Sequence, residues 1–372
     1  MDLSIIVPAL NEAQNLPTLL QRIDAALQLI SPIHYEVIVV DDNSKDGTAE
    51  VCAQLATQYP VKLLVRTEPK NGLSGAVLFG MAQAAGKYLV VMDADLQHPP
   101  ERLADLLKPL QTGEADFVLG SRYVAGGSTE ADWSFFRQIN SGVATFLARP
   151  FAGRVTDPMS GFFALERKTY QNAQRLTPVG YKIALELMCK GRVRRVQEIP
   201  IHFSHRLHGQ SKLSLKQQFR YLEHLSRLYD FKFPRASPVV KFLIVTLAAW
   251  AAGLAAYAIV LSAGVGPIAA PVIAYAADIL ATSVFHARYV TRQREFIVRP
   301  RPWVDFAIIS AAEWVACFLS AWWVFARLRN PNHADLFILS FAAATVVRYV
   351  LRKEFMHDIR GLRKELRREQ VD

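Results

Sequence analysis

Cysteine is scarce in this chain of 372 residues: Cys52, Cys189 and Cys317 stand alone, at spacings that make neither a disulfide framework nor a zinc pattern. That scarcity fits a reducing compartment for the part of the chain lying in water. Two phosphate-binding signatures are also missing. The first apolar run leads into PALNE rather than Gly-x-Gly-x-x-Gly, so no dinucleotide site of that kind is expected. Gly72, Gly75 and Gly80 are followed by no Gly-Lys-Ser/Thr and read instead as tight turns and close helix packing. His202, His205 and His208 fall three apart, but no further ligand cluster accompanies them, and no zinc site is expected. Met1-Asp2 runs straight into a strand pattern, so no signal peptide is expected either.

What is present divides the chain in two. Residues 1 to about 235 have the mixed composition of a soluble α/β protein, whereas about 239 to 352 carry long apolar segments. The formal net charge of +10 raises the question of a nucleic-acid partner. Many of the basic residues, however, flank the apolar segments, as the positive-inside bias of membrane proteins requires. A membrane, and no nucleic acid, is the expected partner.

The first part alternates strand and helix. Leu3 to Pro8 and Tyr35 to Val40 are almost continuously apolar, the pattern of strands buried on both faces. Val61 to Arg66, Tyr88 to Met92 and Phe117 to Gly120 follow, and Ile199 to Phe203 reads as the last strand. Between the first two strands, Leu16, Leu19, Leu20, Ile23, Ala26, Leu27 and Ile30 share one helical face. Repeated strand-turn-helix units predict right-handed crossovers and a mainly parallel sheet, with any ligand at the carboxyl ends of the strands.

Carboxylates gather at those ends. Lys87 to Pro100, KYLVVMDADLQHPP, places Asp93 and Asp95 one residue apart just past a buried strand, then Gln97, then a proline pair able to open a helix. Such oxygen ligands suit a hard cation, Mg²⁺ or Mn²⁺, with the remaining positions left to water or substrate phosphates. A turn and helix cap is the alternative reading, since Asp is common in both. Asp41 and Asp42, at the end of the second strand, could accept hydrogen bonds from a base or from ribose hydroxyls. For Asp41 and Asp46, turn and cap chemistry competes with that role.

VPALNE, VVDDNSKDGT, GLSGA, MDADLQHPP, GSRY, DPMSGFFAL and HGQSKLSL occur in an order and spacing that resemble glycosyltransferase family 2. More narrowly, they resemble the polyisoprenyl-phosphate hexose synthases of the dolichol-phosphate mannose synthase type. The resemblance covers about residues 3 to 235 and implies the nucleotide-diphospho-sugar transferase (GT-A) fold. It also implies site residues, position by position. Pro8, Glu12 and Asp42 would contact the nucleoside; Val40 and Ala94 would complete the nucleotide-sugar site. Asp93, Asp95 and Gln97 would hold the cation and reach the sugar diphosphate. Arg122, Arg137 and Ser141 would hold the lipid phosphate, a task for which a bidentate guanidinium suits better than lysine. Arg206 and Lys212, in a loop that closes over the donor, would neutralise the leaving diphosphate. Asp157 and Ser160 would support the acceptor pocket, and Glu186 lies on a helix beneath it. One departure is Leu10, where many relatives carry a tyrosine able to stack on the base.

Beyond this, residues 213 to 233 mix aromatics and leucines with lysines and arginines, the composition of an interfacial amphipathic helix. A charged helix packed on the first domain is the competing reading. Gln217-x-x-Arg220-Tyr221 is a short match to a motif of processive polysaccharide synthases. Four apolar segments follow, at about 239–261, 266–286, 303–325 and 333–351, each near the ~20 residues that a bilayer core requires. Their charge bias predicts an even number of spans with both termini cytoplasmic. Trp303, Trp322 and Trp323 fit interfacial anchors. Asp278, Glu313 and Arg348, in or near the spans, are either functional or a buried ion pair between helices. This half resembles the small four-span family associated with O-antigen glucosylation. The expected organisation is a GT-A domain over 1–212, an interfacial linker over 213–236, an all-α membrane domain over 237–354 and a basic tail over 355–372.

The implied chemistry is inverting, metal-dependent transfer of a hexose to a polyisoprenyl phosphate, with mannose from GDP-mannose as the leading donor. A lipid phosphate is largely ionised at neutral pH, so no strong side-chain base is needed. That matches a candidate set rich in arginine and carboxylate but without a histidine–carboxylate dyad. The rival readings are a UDP-glucose-using glucosyltransferase, a polysaccharide synthase, and a translocator of lipid-linked sugars whose first half only binds the donor.

Overall fold

The computed structural model describes residues 1–30, 32–129, 135–177, 179–204, 215–285, 302–328 and 332–356. The chain forms two compact units, Met1–Leu228 and Tyr229–Asp372.

The first unit is built on a seven-stranded sheet in the order β3-β2-β1-β4-β7-β5-β8. The strands are β1 (Leu3–Ala9), β2 (Tyr35–Asp41), β3 (Val61–Val65), β4 (Tyr88–Val91), β5 (Phe117–Ser121), β7 (Phe163–Glu166) and β8 (Val196–Pro200). A short β6 (Ser128–Thr129) pairs with β9 (His202–Phe203) in a separate ribbon. All seven main strands are parallel except β7, which runs antiparallel between β4 and β5. The mainly parallel sheet agrees with the strand-helix alternation; the reversed β7 was not visible in it. The strand expected over Ile199 to Phe203 divides into the end of β8 and β9. Pro200 has no N–H for the ladder, and the Ile201 N–H donates to Ser121 O instead.

Helix α1 (Leu16–Gln28) buries Leu16, Leu19, Leu20, Ile23, Ala26 and Leu27 against the sheet, the face its periodicity predicts. The next helices are α2 (Thr48–Leu55), α3 (Gly72–Gln83), α4 (Leu103–Gln111), α5 (Phe135–Ala152), α6 (Arg167–Gln171), α7 (Ile183–Lys190) and α8 (Leu215–Lys232). Helix α3 packs unusually close to the sheet. A Cβ at Gly80 would stand 2.7 Å from Ile6 Cγ2 and 2.9 Å from Val40 Cγ2, so any larger residue would push the helix off β1 and β2.

The parallel register pairs Pro8 with Val40 and Ala9 with Asp41. The carboxyl ends of β1, β2 and β4 therefore lie along one edge, and Glu12, Asp42 and Asp93 follow directly from those ends. In α8, Tyr221, His224, Leu225 and Leu228 are buried, and Tyr221 Oη donates to Ala144 O of α5 at 2.8 Å. Phe219 and Leu222 of the same helix are exposed.

The second unit contains α9 (Ser237–Ser262), α10 (Ala269–Phe285), α11 (Pro302–Arg327) and α12 (His333–Met356). Among the described residues three helices are long and apolar enough to cross a membrane, over Ser237–Ser262, Phe306–Arg327 and His333–Leu351. That differs from the four spans expected. The second apolar segment forms α10, whose described part, Ala269–Phe285, is 17 residues and rises about 25 Å; the residues that follow lie outside the described set.

Arg348 lies in the centre of this unit, fully buried. Its guanidinium donates to Glu313 Oε2 (2.9 Å), Thr282 Oγ1 (2.9 Å), Tyr275 Oη (2.8 Å) and Asp278 Oδ2. Asp278, Glu313 and Arg348 are thus one buried ionic cluster joining α10, α11 and α12.

Candidate active site

The turn after β4 carries the two carboxylates expected to matter most. Asp93 donates its backbone N–H to His98 Nδ1 at 3.0 Å, and its carboxylate is partly exposed, with Oδ2 3.8 Å from the same ring nitrogen. Asp95 is buried, and its Oδ1 accepts the Gln97 N–H at 3.2 Å. Between them and Gln97, Ala94 is buried and Leu96 adopts a φ of +63°. A branched residue in the left-handed region is strained by about 1–3 kcal/mol and persists only where its surroundings enforce it. Here the buried Leu96 side chain, part of the main core, anchors that turn. Gln97 donates its amide nitrogen to Ser204 O at 3.1 Å, leaving its carbonyl oxygen as the coordinating atom it can offer.

His98 follows in the same sequence motif. It is buried, stacked on Phe162 with ring centroids 5.3 Å apart, and tilted on Phe203. Burial pushes its pKa down to about 4, opposed by Asp95 and assisted by Arg122. The ring is therefore neutral at pH 7. Because Nδ1 accepts the Asp93 N–H, the ring proton sits on Nε2.

At the nucleoside end, Asp42 is already held. Arg66 Nε and Nη2 donate to its two oxygens at 2.6 and 2.8 Å, and the same guanidinium donates to Lys70 O and Gly72 O. Arg66 thus ties the end of β2 to the start of α3. Glu12 accepts Asn15 Nδ2 at 2.6 Å and donates its N–H to Thr48 Oγ1. Asp41 accepts both the N–H and the hydroxyl of Ser44. Asp46 accepts the Ala13 N–H and the Thr48 N–H and hydroxyl. Burial works against the Asp46 charge, but those bonds hold its pKa below the ordinary value. Asp41 and Asp46 therefore do turn and cap work. Pro8 and Val40 are buried neighbours in the sheet register, and Leu10 is exposed.

Arg122 follows β5 and is locked to Asp157 by Nε at 2.8 Å and Nη2 at 2.9 Å, while its backbone N–H donates to the same carboxylate. It also lies 5.2 Å from the Phe203 ring centroid. Burial opposes the charge, yet the Asp157 bonds raise the Arg122 pKa above its usual value, so it stays cationic. Asp157 is fully buried and is itself fixed by its N–H to Glu198 at 2.9 Å. Glu186 accepts Lys190 Nζ at 2.6 Å and the Thr177 N–H at 2.8 Å, with His224 Nε2 at 3.5 Å. Glu186 thereby joins α7 to α8 and is structural.

A pocket of about 120 Å³ opens beside Asp93, lined among others by His98, Arg122, Ser160, Gly161 and Lys182. Its floor depends on Gly161, where a Cβ would meet Asp93 Oδ2 at 3.2 Å and His98 Cε1 at 3.3 Å. Lys182, at the amino end of α7, belongs to the Gly180–Ile183 stretch expected beneath the site, and the fold makes it a lining residue of the pocket. Of the remaining expected residues, Arg137 and Ser141 lie on α5, whose side chains there are not described. Arg206, Lys212, His205 and His208 lie outside the described residues. Among the described residues no group of three or more His, Cys, Asp or Glu gathers to hold a metal. Asp93, Asp95 and Gln97 offer a hard-oxygen set that would leave positions for phosphate oxygens, a chemistry that fits Mg²⁺ or Mn²⁺.

A parallel sheet with carboxylates at its strand ends and a cationic pocket beside them defines a nucleotide-sugar transferase architecture. Residues 4–172 match glycosyl transferase family 2, and residues 241–357 match the GtrA/DPMS transmembrane domain. Over 250 residues the chain is 44% identical to the dolichol-phosphate mannosyltransferase of Pyrococcus furiosus, covering 66% of this chain and 69% of that one. Over 241 residues it is 43% identical to the dolichol-phosphate mannosyltransferase of Saccharomyces cerevisiae, covering 63% and 89%. Among solved structures, mannosyl-3-phosphoglycerate synthase of Rubrobacter xylanophilus matches with a TM-score of 0.50 at 19% identity, over 62% of this chain and 75% of that one. At that distance the likeness speaks to the fold alone. The chain belongs to the dolichol-phosphate mannosyltransferase family. It is a membrane glycosyltransferase with a GT-A-like first unit.

Proposed function

We propose that this protein transfers mannose from GDP-mannose to a polyisoprenyl phosphate, with inversion, at the cytosolic face of a membrane. The observation that carries the reading is the pairing of Asp93 and Asp95 with the Arg122–Lys182 pocket at one strand edge. That pairing offers separate places for a metal-bound diphosphate and for a second, anionic group. Asp93, Asp95 and Gln97 would hold Mg²⁺ or Mn²⁺. When bound, the cation supplies Lewis-acid stabilisation of the donor's diphosphate.

The residues of the chain do the rest. Pro8, Glu12, Val40, Asp42 and Ala94 form the nucleoside side, with Asp42 pre-set by Arg66. Arg122, Arg137 and Ser141 hold the acceptor phosphate. One phosphate oxygen of the acceptor bonds to the anomeric carbon as the bond from that carbon to the diphosphate oxygen breaks. The nucleoside diphosphate leaves with the electron pair, its charge met by Arg206 and Lys212. The acceptor arrives ionised, with a second pKa of about 6, so the site requires no general base. The neutral, backbone-bonded His98 is consistent with that.

The membrane half delivers the acceptor. The exposed Phe219 and Leu222 of α8, amid basic residues, fit a helix lying at the interface. Cytoplasmic placement of both termini follows from the basic tracts around the apolar helices. It requires α10 to cross as a fourth span.

The test is a donor panel with the purified full-length protein, polyprenyl phosphate and Mg²⁺ or Mn²⁺. Transfer of a single mannose from GDP-mannose supports the reading. A glucolipid from UDP-glucose would replace the donor, a product with several sugars would indicate a polymerase, and binding without turnover would indicate a translocator.

A further inference from the structure

We propose that Lys182 is a phosphate-binding residue. Its ammonium, the Arg122 guanidinium and the Nε2–H of His98 form the donor wall that receives the acceptor's phosphate beside Asp93. The inference rests on the reading above that the acceptor is a lipid phosphate.

Size comes first. A pocket of about 120 Å³ is far below the ~300–1,000 Å³ of sites that enclose whole drug-sized ligands. It takes one head group, and neither a nucleotide sugar nor a lipid tail.

Charge decides which head group. Arg122 is neutralised by Asp157 through two hydrogen bonds. Lys182 has no such partner. Among the described residues its Nζ donates to one atom, the carbonyl of Met159 at 2.6 Å, and rests 4.4 Å from the Tyr181 ring centroid. No carboxylate of the described residues lies within salt-bridge distance of it. A half-buried ammonium facing a neutral carbonyl and an aromatic face is an incomplete arrangement, because a charge drawn out of water is costly unless paired. Its remaining N–H bonds call for an anion. Burial, with repulsion from Arg122, accordingly lowers the Lys182 pKa to about 8, against the attraction of Asp157 and Asp93. An arriving phosphate would complete the charge balance.

Geometry makes the wall. His98 lines the pocket, and because Nδ1 accepts the Asp93 N–H its ring proton is on Nε2, which makes that nitrogen a donor. Met159, which holds Lys182, lies in the same turn as Ser160 and Gly161, and Asp157, which holds Arg122, begins it. A single turn therefore sets the spacing of both cations.

A phosphate oxygen could come from the acceptor or from the donor's diphosphate, and the experiment separates the two. The full-length protein in detergent is assayed with GDP-mannose, Mn²⁺ and farnesyl phosphate, and farnesyl phosphate binding is also measured by calorimetry without nucleotide. Lys182→Gln should raise the acceptor KM and the farnesyl phosphate Kd by about 10- to 100-fold, the range for a lost charge-assisted bond. The donor KM should stay within about twofold, and Lys182→Arg should recover most of the acceptor affinity. Binding of farnesol, which lacks the phosphate, should be the same in wild type and Lys182→Gln.

Unchanged farnesyl phosphate affinity in a folded Lys182→Gln protein would overturn the assignment. So would a rise confined to the donor KM, which would move Lys182 to the diphosphate. Should Lys182→Gln fail to fold, Lys182→Arg decides: retained affinity supports the role, and lost affinity in a folded protein refutes it. If wild type transfers no sugar from any donor, the proposed function fails, and the calorimetric comparison still tests the phosphate site.

Discussion

Arg66 holds both oxygens of Asp42, at 2.6 and 2.8 Å, across 24 residues of chain. The carboxylate assigned to the nucleoside is therefore oriented before any donor arrives. Holding a binding group in place in advance removes an ordering cost at the moment of binding.

Arg66→Ala should weaken donor binding about tenfold, because Asp42 loses its fixed geometry and the start of α3 loses two carbonyl contacts. With saturating donor, kcat should fall by less than KM rises. Steady-state kinetics over a donor titration would check this split.

Removal of either strand-end carboxylate should be far more damaging. Asp93→Ala and Asp95→Ala are expected to lower kcat/KM by about a hundredfold or more, the scale of losing one stabilising contact to developing charge. Chelation of wild type should abolish turnover, and Mg²⁺ or Mn²⁺ should restore it. Isothermal titration of Mn²⁺ in the presence of GDP should show the binding lost in both variants.

His98 predicts an acid sensitivity. Its folded pKa of about 4 lies below the unfolded value near 6.5. Between those values the unfolded chain binds more protons, so stability falls as pH drops from about 6.5 towards 4. At pH 5 the loss from this group is on the order of 2 kcal/mol. His98→Gln should remove that part of the pH dependence, seen as a smaller drop in Tm between pH 7 and pH 5 in metal-free protein.

Leu10 offers a gain-of-affinity test. Its side chain is exposed beside the end of β1, where a ring could stack on the base. Base–aromatic stacking contributes about 1–3 kcal/mol, so Leu10→Tyr should lower the donor KM several-fold without changing the acceptor KM.

In the second unit, one guanidinium serves two buried carboxylates. Arg348→Met would leave Asp278 and Glu313 without their cation and should cost about 3–5 kcal/mol, measured as a large fall in Tm or in recovered folded protein. Asp278→Asn should be milder, since Arg348 keeps Glu313 at 2.8 Å.

The sequence by itself determined the class of the first unit. Strands β1, β2, β3, β4 and β5 and the buried face of α1 follow from local periodicity, which depends only on which residues recur every second or every third and fourth position. It also determined which carboxylates end the strands, because a turn after a buried strand is a local event. The apolar helices of the second unit were legible for the same reason: the four apolar segments correspond to α9, α10, α11 and α12.

Only the tertiary structure decided who partners whom. Arg66 with Asp42, Arg122 with Asp157 and Lys182 with the Met159 carbonyl join residues 24, 35 and 23 positions apart. Arg348 reaches Asp278 and Glu313 across 70 and 35. No periodicity encodes such pairs, since each depends on where the chain returns. The same holds for β7, whose antiparallel insertion between β4 and β5 brings the turn at Asp157–Gly161 to the pocket. Lys182 becomes a pocket cation only because that turn meets it through the Met159 carbonyl.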